Sequence, residues 1–110
     1  MHADSLLEIT DKNFDALALQ GPLPVLVDFS AVRCPPCRAI APHVAAIARD
    51  YAGRLTVATC DTDANVALAA RLDVRAIPTL LLFKAGQVVG QIVGAVPKAK
   101  IEALVARAIT

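Results

Sequence analysis

The chain has almost no net charge, since its 110 residues carry 11 Lys and Arg against 10 Asp and Glu, for a formal charge of +1. Proteins drawn to nucleic acid or to an anionic membrane surface usually show a clear basic excess. Long apolar runs are also missing, because no stretch reaches the roughly 18 residues that a membrane span needs. Neither nucleic acid nor a membrane is therefore expected as a partner.

Secretion signals are scarce as well. Residues 1–8, Met-His-Ala-Asp-Ser-Leu-Leu-Glu, lack the basic start and the long apolar run of a signal peptide. The three cysteines are an odd number, which argues against a secreted domain held together by disulfides and favours a reducing compartment. The cytoplasm is the expected location.

What the chain does have is apolar content. Hydrophobic residues make up 56% of it and charged residues 19%, with no internal repeat, low-complexity tract or linker. A chain of this length and composition can bury a core without disulfides or metals. We expect a single domain spanning residues 1–110.

The hydrophobic pattern predicts nine elements in the order β-α-β-α-β-α-β-β-α. Strands are expected near residues 6–9, 24–29, 55–61, 79–83 and 87–93, and helices near 14–20, 37–51, 64–71 and 97–108. Thr10 or Asp11 is expected to cap the first helix, Asp63 the third, and Pro42 to kink the second. Alternating elements predict an α/β fold with parallel strands, and the hairpin at Ala85 and Gly86 adds an antiparallel edge.

One short motif carries chemistry. Cys34 and Cys37 are separated by two prolines and follow an apolar strand at the start of a helical pattern. A helix N-terminus favours a thiolate, and a second thiol one turn further along can resolve a mixed disulfide. The pattern predicts Cys34 as the nucleophile and Cys37 as the resolving thiol. Pro35 and Pro36 stiffen the loop but offer no N–H groups to the Cys34 sulfur.

A structural zinc site is the alternative for the same pair. Zinc requires four ligands, and the chain offers only Cys60, His2 and His43 besides the pair. Cys60 is expected on the opposite layer of the sheet as a small buried residue, and His43 as an ordinary helix residue. A redox pair is the preferred interpretation, and no metal is expected.

Several motifs resemble the thioredoxin family in order and spacing over nearly the whole chain. They are Val-Asp-Phe-Ser-Ala at 27–31, the cysteine pair, Ala-Pro at 41–42, Ala-Ile-Pro-Thr-Leu at 76–80 and Val-Gly-Ala at 93–95. The resemblance implies a thioredoxin fold, with a central mixed five-stranded sheet flanked by four helices. It also implies disulfide exchange on protein substrates.

The resemblance further assigns residues to a site. Asp28 is similar to the family's buried carboxylate, which handles the proton of the resolving cysteine, and Pro78 is implied to be cis and to face the cysteine pair. The implied substrate-binding residues are Arg33, Pro35, Pro36, Ala76, Ile77, Pro78, Gly94 and Ala95.

The chain departs from the family pattern at several positions around the pair. The usual Trp-Ala-x-Trp is here Ser-Ala-Val-Arg at 30–33, and the chain has no Trp. The usual Gly-Pro between the cysteines is Pro-Pro. Ala76 stands where Gly or Ser is common, and Thr59 replaces the Lys that pairs with the buried Asp in many members. Arg33, beside Cys34, is a candidate for stabilising the thiolate and for favouring acidic partners.

The leading hypothesis is a monomeric thiol-disulfide oxidoreductase that reduces protein disulfides through Cys34 and Cys37. It needs no bound cofactor beyond this redox-active disulfide, and the resemblance implies an NADPH-dependent thioredoxin reductase as electron donor. Two alternatives stay open. One is a binding subunit whose redox turnover is secondary, and the other is a more oxidising disulfide exchanger or isomerase.

Overall fold

The computed structural model describes residues 6–109. Its five strands are β1 (Leu6–Glu8), β2 (Val25–Ser30), β3 (Thr56–Asp61), β4 (Thr79–Lys84) and β5 (Gln87–Val93). Its helices are a short π helix (Asp15–Leu19), α1 (Pro35–Asp50), α2 (Val66–Arg71) and α3 (Lys98–Ile109). This is the element order that the hydrophobic pattern predicted.

The strands form one mixed sheet in the order β1-β3-β2-β4-β5. β1 and β2 both pair with β3 in parallel. β4 lies antiparallel to β2 on one side and to β5 on the other. The predicted α/β architecture, a five-stranded mixed sheet with four helices, is confirmed. The apolar run in β2 is explained by its central position, since all but its last residue are buried.

Each face of the sheet has its own core. Leu26, Val57 and Leu82 point to the face covered by α1 and α3, and Ile40, Ile47, Ile101 and Val105 pack there. Alternate residues of the same strands point to the other face, where Phe14 of the π-helical region meets Phe83 edge-on at 5.3 Å.

The predicted cap of α2 differs from the structure. Asp63 does not cap α2, because the helix begins only at Val66 and its N-cap residue is Asn65. The Asp63 backbone N–H donates to Asp61 Oδ1 instead. The carboxylate that serves the N-terminus of α2 is Asp11, whose Oδ1 accepts from the Leu68 N–H at 2.9 Å. Asp11 is far away in sequence, so a local pattern does not reveal it.

The other helix predictions hold in part. Thr10 was expected at the start of the first helix, and its Oγ1 accepts from the Asn13 N–H while Asn13 Oδ1 accepts from the Thr10 N–H. That helix is π-helical and only five residues long. α1 begins two residues earlier than expected and continues through Pro42. No helix within residues 6–109 is long and apolar enough to cross a membrane.

Candidate active site

The first turn of α1 is built by the Cys-Pro-Pro-Cys motif itself. Cys34 is the N-cap residue with extended backbone, and the two prolines occupy the first positions of the helix. Proline suits these positions because its φ is already helical and because the first N–H groups of a helix have no intrahelical partner. This is why α1 starts at Pro35 rather than at Cys37.

The two sulfurs meet at this turn. Cys34 and Cys37 form a disulfide, with their Cα atoms 5.1 Å apart. The Cys37 N–H donates to the Cys34 sulfur at 3.2 Å. Since Pro35 and Pro36 have no N–H, Cys37 supplies the first amide of the helix that can reach this sulfur. The 16-residue helix adds the positive end of its dipole at the same place, which favours a thiolate at Cys34 after reduction.

Both cysteines are buried, yet the loop around them is open. Cys34 is 6% exposed and Cys37 4%, whereas Val32 is 75% exposed. Arg33, Pro35 and Pro36 are exposed as well. A partner can therefore contact the rim around Cys34 over side chains that replace the family's usual aromatic residues.

Asp28 lies on the face of the sheet that α1 covers. It alternates with Val27 and Phe29, which point to the opposite core, and so shares the face of Leu26. The carboxyl is 4% exposed, and its Oδ1 has no hydrogen-bond partner. Burial raises the pKa of Asp28 from 3.8 to about 6. A carboxyl in this setting can hold a proton near neutral pH and release it again.

The neighbour of Asp28 on β3 is Thr59, as the sequence register predicted. Thr59 also pairs with Glu8 of β1, so the three polar residues form a row across the sheet toward solvent. A cavity of about 160 Å³ opens beside this row, lined by Glu8, Ser30, Ala31, Val32, Thr59 and Asp61. Because Thr59 is uncharged and Glu8 is acidic, no residue of the row supplies a positive charge that would stabilise the buried carboxylate of Asp28.

The β4 side of the site is formed by Pro78 and the segment after β5. The Ile77–Pro78 peptide bond is cis, as the resemblance implied. Pro78 precedes β4 directly, and the β2–β4 register places it level with Ser30. The Gly94 N–H donates to the Pro78 carbonyl at 2.8 Å, which brings the 76–78 and 93–95 segments together. Ala76 and Ala95 are exposed at this rim, Ile77 and Gly94 half-buried.

The structure separates the third cysteine from the pair. Cys60 is 1% exposed in the core on the opposite face, together with Phe29 and Ala58. Burial, and then the nearby carboxylates led by Asp11, raise the pKa of the Cys60 thiol to about 11. Within residues 6–109, no group of three His, Cys, Asp or Glu side chains is arranged to hold a metal ion. His2, a weighed zinc ligand, lies outside these residues.

Two residues that support the site were not singled out from the sequence. Thr62 donates from its N–H and its hydroxyl to the Ser30 carbonyl, at 2.9 and 3.3 Å, and so holds the end of β2 in place. The Thr79 hydroxyl donates to the Ala76 carbonyl and orders the turn before Pro78. Thr79 is part of the 76–80 motif that signalled the resemblance, whereas no sequence signal marks Thr62.

Comparison with known proteins agrees with this geometry. The family model described as Thioredoxin matches residues 5–107. A thioredoxin from Porphyra purpurea is 44% identical over 98 residues, which cover 89% of this chain and 92% of that protein. Thioredoxin 1 from Nostoc sp. is 47% identical over 91 residues, covering 83% and 85%.

A third relative is longer than this chain. The chloroplastic M-type thioredoxin of Zea mays is 40% identical over 102 residues, which are 93% of this chain and 61% of that protein. The joined cysteines at the N-terminus of α1, the mixed sheet and the matched length together show that this chain belongs to the thioredoxin family, as a thiol-disulfide oxidoreductase that reduces protein disulfides.

Proposed function

We propose that Cys34 is the attacking and Cys37 the resolving sulfur of this reductase. The Cys34 thiolate attacks one sulfur of a substrate disulfide, whose S–S bond breaks as a mixed disulfide forms and the second substrate sulfur leaves as a thiolate. Cys37, having lost its proton, then attacks the Cys34 sulfur. The Cys34–Cys37 disulfide forms, and the first substrate sulfur leaves. The observation that carries this assignment is the Cys37 N–H on the Cys34 sulfur.

Asp28 is proposed to take the proton of Cys37. Cys37 and Ile40 lie on the buried stripe of α1 that packs against the Leu26 face of the sheet, and Asp28 is the next residue after Leu26 on that face. Asp28, near the end of β2, and Cys37, in the first turn of α1, both belong to the end of the sheet at which β2 leads into α1. A carboxyl whose pKa lies at about 6 can accept a thiol proton at neutral pH and pass it to water afterwards.

The substrate segment is proposed to bind along the rim formed by Ala76, Ile77 and Pro78 on one side and Gly94 and Ala95 on the other. The hydrogen bond between Gly94 and Pro78 fixes the two halves of this rim relative to each other. Pro35 and Pro36 border the attacked sulfur. Arg33 is exposed directly before Cys34, and we propose that it favours substrates with acidic residues beside the disulfide.

The remaining parts of the proposal concern the setting of the reaction. The chain, residues 1–110, acts as a single-domain monomer that carries its reducing equivalents in the two cysteines. It receives them from a thioredoxin reductase that uses NADPH. Its location is the cytoplasm, which the unpaired Cys60 supports because a free thiol is common in reducing compartments. A chloroplast-like compartment, as in the name of the Zea mays relative, is the alternative.

Reduction of insulin disulfides by dithiothreitol-charged protein tests the proposal. Wild type is expected to accelerate the reaction, and Cys34→Ser to abolish the acceleration. Cys60→Ala is the matched control, because it also removes one thiol but leaves the pair intact, and its rate should equal that of wild type. Activity in Cys34→Ser, or loss of activity in Cys60→Ala, would contradict the assignment.

A further inference from the structure

A second surface of the molecule lies between β5 and α3, and its lining includes none of the residues assigned to the rim around the cysteine pair. Two adjoining cavities of about 210 and 420 Å³ form a groove there, sharing Leu104 and Arg107. The other lining residues are Leu82, Lys84, Val89, Gln91, Ile92, Lys100, Ala103 and Ala108. We call this surface the β5 groove. Its floor is apolar, and each charged residue that lines it is a cation.

β5 borders the groove as an edge strand with open hydrogen-bonding positions. In an antiparallel ladder, hydrogen-bonded pairs alternate with pairs whose backbone N–H and C=O groups point away from the partner strand. The Gly94 N–H donates to the Pro78 carbonyl, so the next pair, Thr79 with Val93, is of the second kind. The same alternation gives Gln91 outward-pointing groups. Val93 and Gln91 therefore present N–H and C=O groups to a strand added at this edge.

β5 lacks the charged residues and the proline that commonly protect an edge strand. Edge strands commonly carry lysine, proline or a central charge that prevents pairing with other chains. Between Gln87 and Val93 there is none of these, and Val88, Val89 and Val93 are each about half exposed, at 49%, 50% and 51%. The register shift between Leu82 and Phe83 leaves Val89 unpaired in the first half of β5, and Gln91 to Val93 keep a regular register.

Charge distinguishes the two faces of this edge. Ile92 faces α3, where Lys100 and Arg107 line the groove, with Lys84 at its far end. Within residues 6–109, neither lysine takes part in an ion pair. On the opposite face Val88 and Val93 are about half exposed. In an added strand, the side chains on the α3 side would therefore lie near Lys84 and Lys100. The side chains on the other side of that strand would lie against Val88 and Val93.

We propose that the β5 groove binds an extended segment of a partner protein in which acidic and apolar residues alternate. The segment adds to β5 as a sixth strand through Gln91 and Val93, its acidic side chains face Lys100 and Lys84, and its apolar side chains cover Val88 and Val93. This surface gives the protein a way to select partners that does not use the cysteine pair.

The test uses a fluorescein-labelled heptapeptide that alternates Glu and Val, with fluorescence anisotropy as the readout. Wild type should bind it, with affinity that falls as salt is raised, and should bind the Lys-Val counterpart at least about tenfold more weakly. Lys100→Glu should weaken binding about fivefold, whereas Lys12→Glu, the same charge change at a lysine outside the groove, should not. Insulin reduction should stay at the wild-type rate in both variants.

A backbone variant separates strand addition from simple charge attraction. Gln91→Pro removes an N–H that points away from β4 and so keeps the β4–β5 ladder. It should reduce peptide binding several-fold with unchanged circular dichroism. Equal binding of the Lys-Val peptide, or binding insensitive to both Lys100→Glu and Gln91→Pro, would overturn the proposal. So would a concentration-dependent dimer that Gln91→Pro converts to monomer, because the occupant would then be a second copy of the chain.

Discussion

Asp28 combines a stability cost with the proton-handling role that we propose for it. It is the one charged group in an otherwise apolar central strand, and its Oδ1 has no partner. The sequence showed a carboxyl inside an apolar strand, whereas its pairing with Thr59 came from the resemblance, because the register between two strands is not a local property. It could not reveal the size of the effect on the carboxyl, which depends on how completely α1 covers it.

Replacing this carboxyl should stabilise the protein at neutral pH. The folded protein holds the Asp28 proton more tightly than the unfolded chain, since the pKa rises from 3.8 to about 6. The folding stability that comes from this tighter proton binding is complete below about pH 4 and is lost as the pH rises through 6. At pH 7.5, Asp28→Asn should therefore raise the free energy of unfolding by about 2–3 kcal/mol relative to wild type.

Urea unfolding of wild type and Asp28→Asn between pH 4 and 8 checks this prediction. The difference should be near its maximum above pH 7 and should shrink as the pH falls toward 4. Thr59→Lys provides the complementary case, because a cation beside Asp28 should lower its pKa and flatten the pH dependence. A difference that is independent of pH would show that burial of the charge is not the cause.

Ala85 is a residue in a backbone conformation that suits other side chains better. It has φ of 54° and Gly86 has 79°, so both central residues of the β4–β5 turn are left-handed. Such turns favour Asn-Gly, and an alanine in this conformation costs about 1 kcal/mol. Ala85→Asn should raise the free energy of unfolding by roughly 0.5–1 kcal/mol.

The same substitution in a helix provides the control. Ala106 is exposed inside α3, where asparagine is a poorer helix former than alanine, so Ala106→Asn should lower stability by about 0.5 kcal/mol. Chemical denaturation of both variants would measure the two signs. If Ala85→Asn and Ala106→Asn lower the free energy of unfolding equally, the left-handed backbone at position 85 does not determine the effect of the substitution there.

At the scale of elements, periodicity and local stop signals predicted most of the fold. Each strand was placed within about two residues of its observed ends because apolar runs and Gly or Pro residues mark them. The errors occurred where the deciding contact comes from elsewhere in the chain. The capping role expected of Asp63 belongs to Asp11, which lies 57 residues before Leu68 in the sequence. The π-helical form of Asp15–Leu19 is not visible in the spacing of its apolar residues.

β5 and α3 approach each other closely at Gly90. A Cβ built on Gly90 would overlap Leu104 Cδ1, so the sheet and the helix touch here with no room for a side chain. Gly90→Ala should therefore lower the free energy of unfolding by about 1–3 kcal/mol, as α3 or the Leu104 side chain moves. Guanidinium unfolding would measure it.

The matched control is another glycine with space around it. A Cβ on Gly21 would meet only the Leu17 carbonyl at 3.5 Å, and Gly21→Ala should change stability by less than about 0.5 kcal/mol. A second test adds Leu104→Val to Gly90→Ala, which should recover part of the loss. Equal effects of the two glycine substitutions would contradict the steric explanation.

At the scale of the whole molecule, the fold brings residues distant in sequence to the end of the sheet at which β2 leads into α1. Asp28 reaches this end at the close of β2, Pro78 at the start of β4, and Gly94 just after β5. The cysteine motif could be found by inspection because its chemistry is local. The predicted β4–β5 hairpin brings residue 78 toward residue 93, but only the resemblance assigns the 76–78 and 93–95 segments to a rim beside the cysteine pair.

The whole molecule also presents two surfaces of different character. The rim around Cys34 combines Arg33 and Val32 in an open loop, while the β5 groove lies along the far edge of the sheet. If both surfaces contact one partner, selection of that partner and reduction of its disulfide can be changed separately by mutation. Lys100→Glu should change the selection of the partner alone, and Cys34→Ser should change the reduction of its disulfide alone.

The most direct test of the account is to trap the mixed disulfide. Cys37→Ser and Cys34→Ser are each incubated, reduced and at pH 7, with a peptide that contains one disulfide, and the products are identified by intact mass. Cys37→Ser should accumulate an adduct joined through Cys34, because the resolving sulfur is gone, and Cys34→Ser should form almost none. An adduct that forms equally in both variants, or mainly through Cys37 or Cys60, would contradict Cys34 as the attacking sulfur.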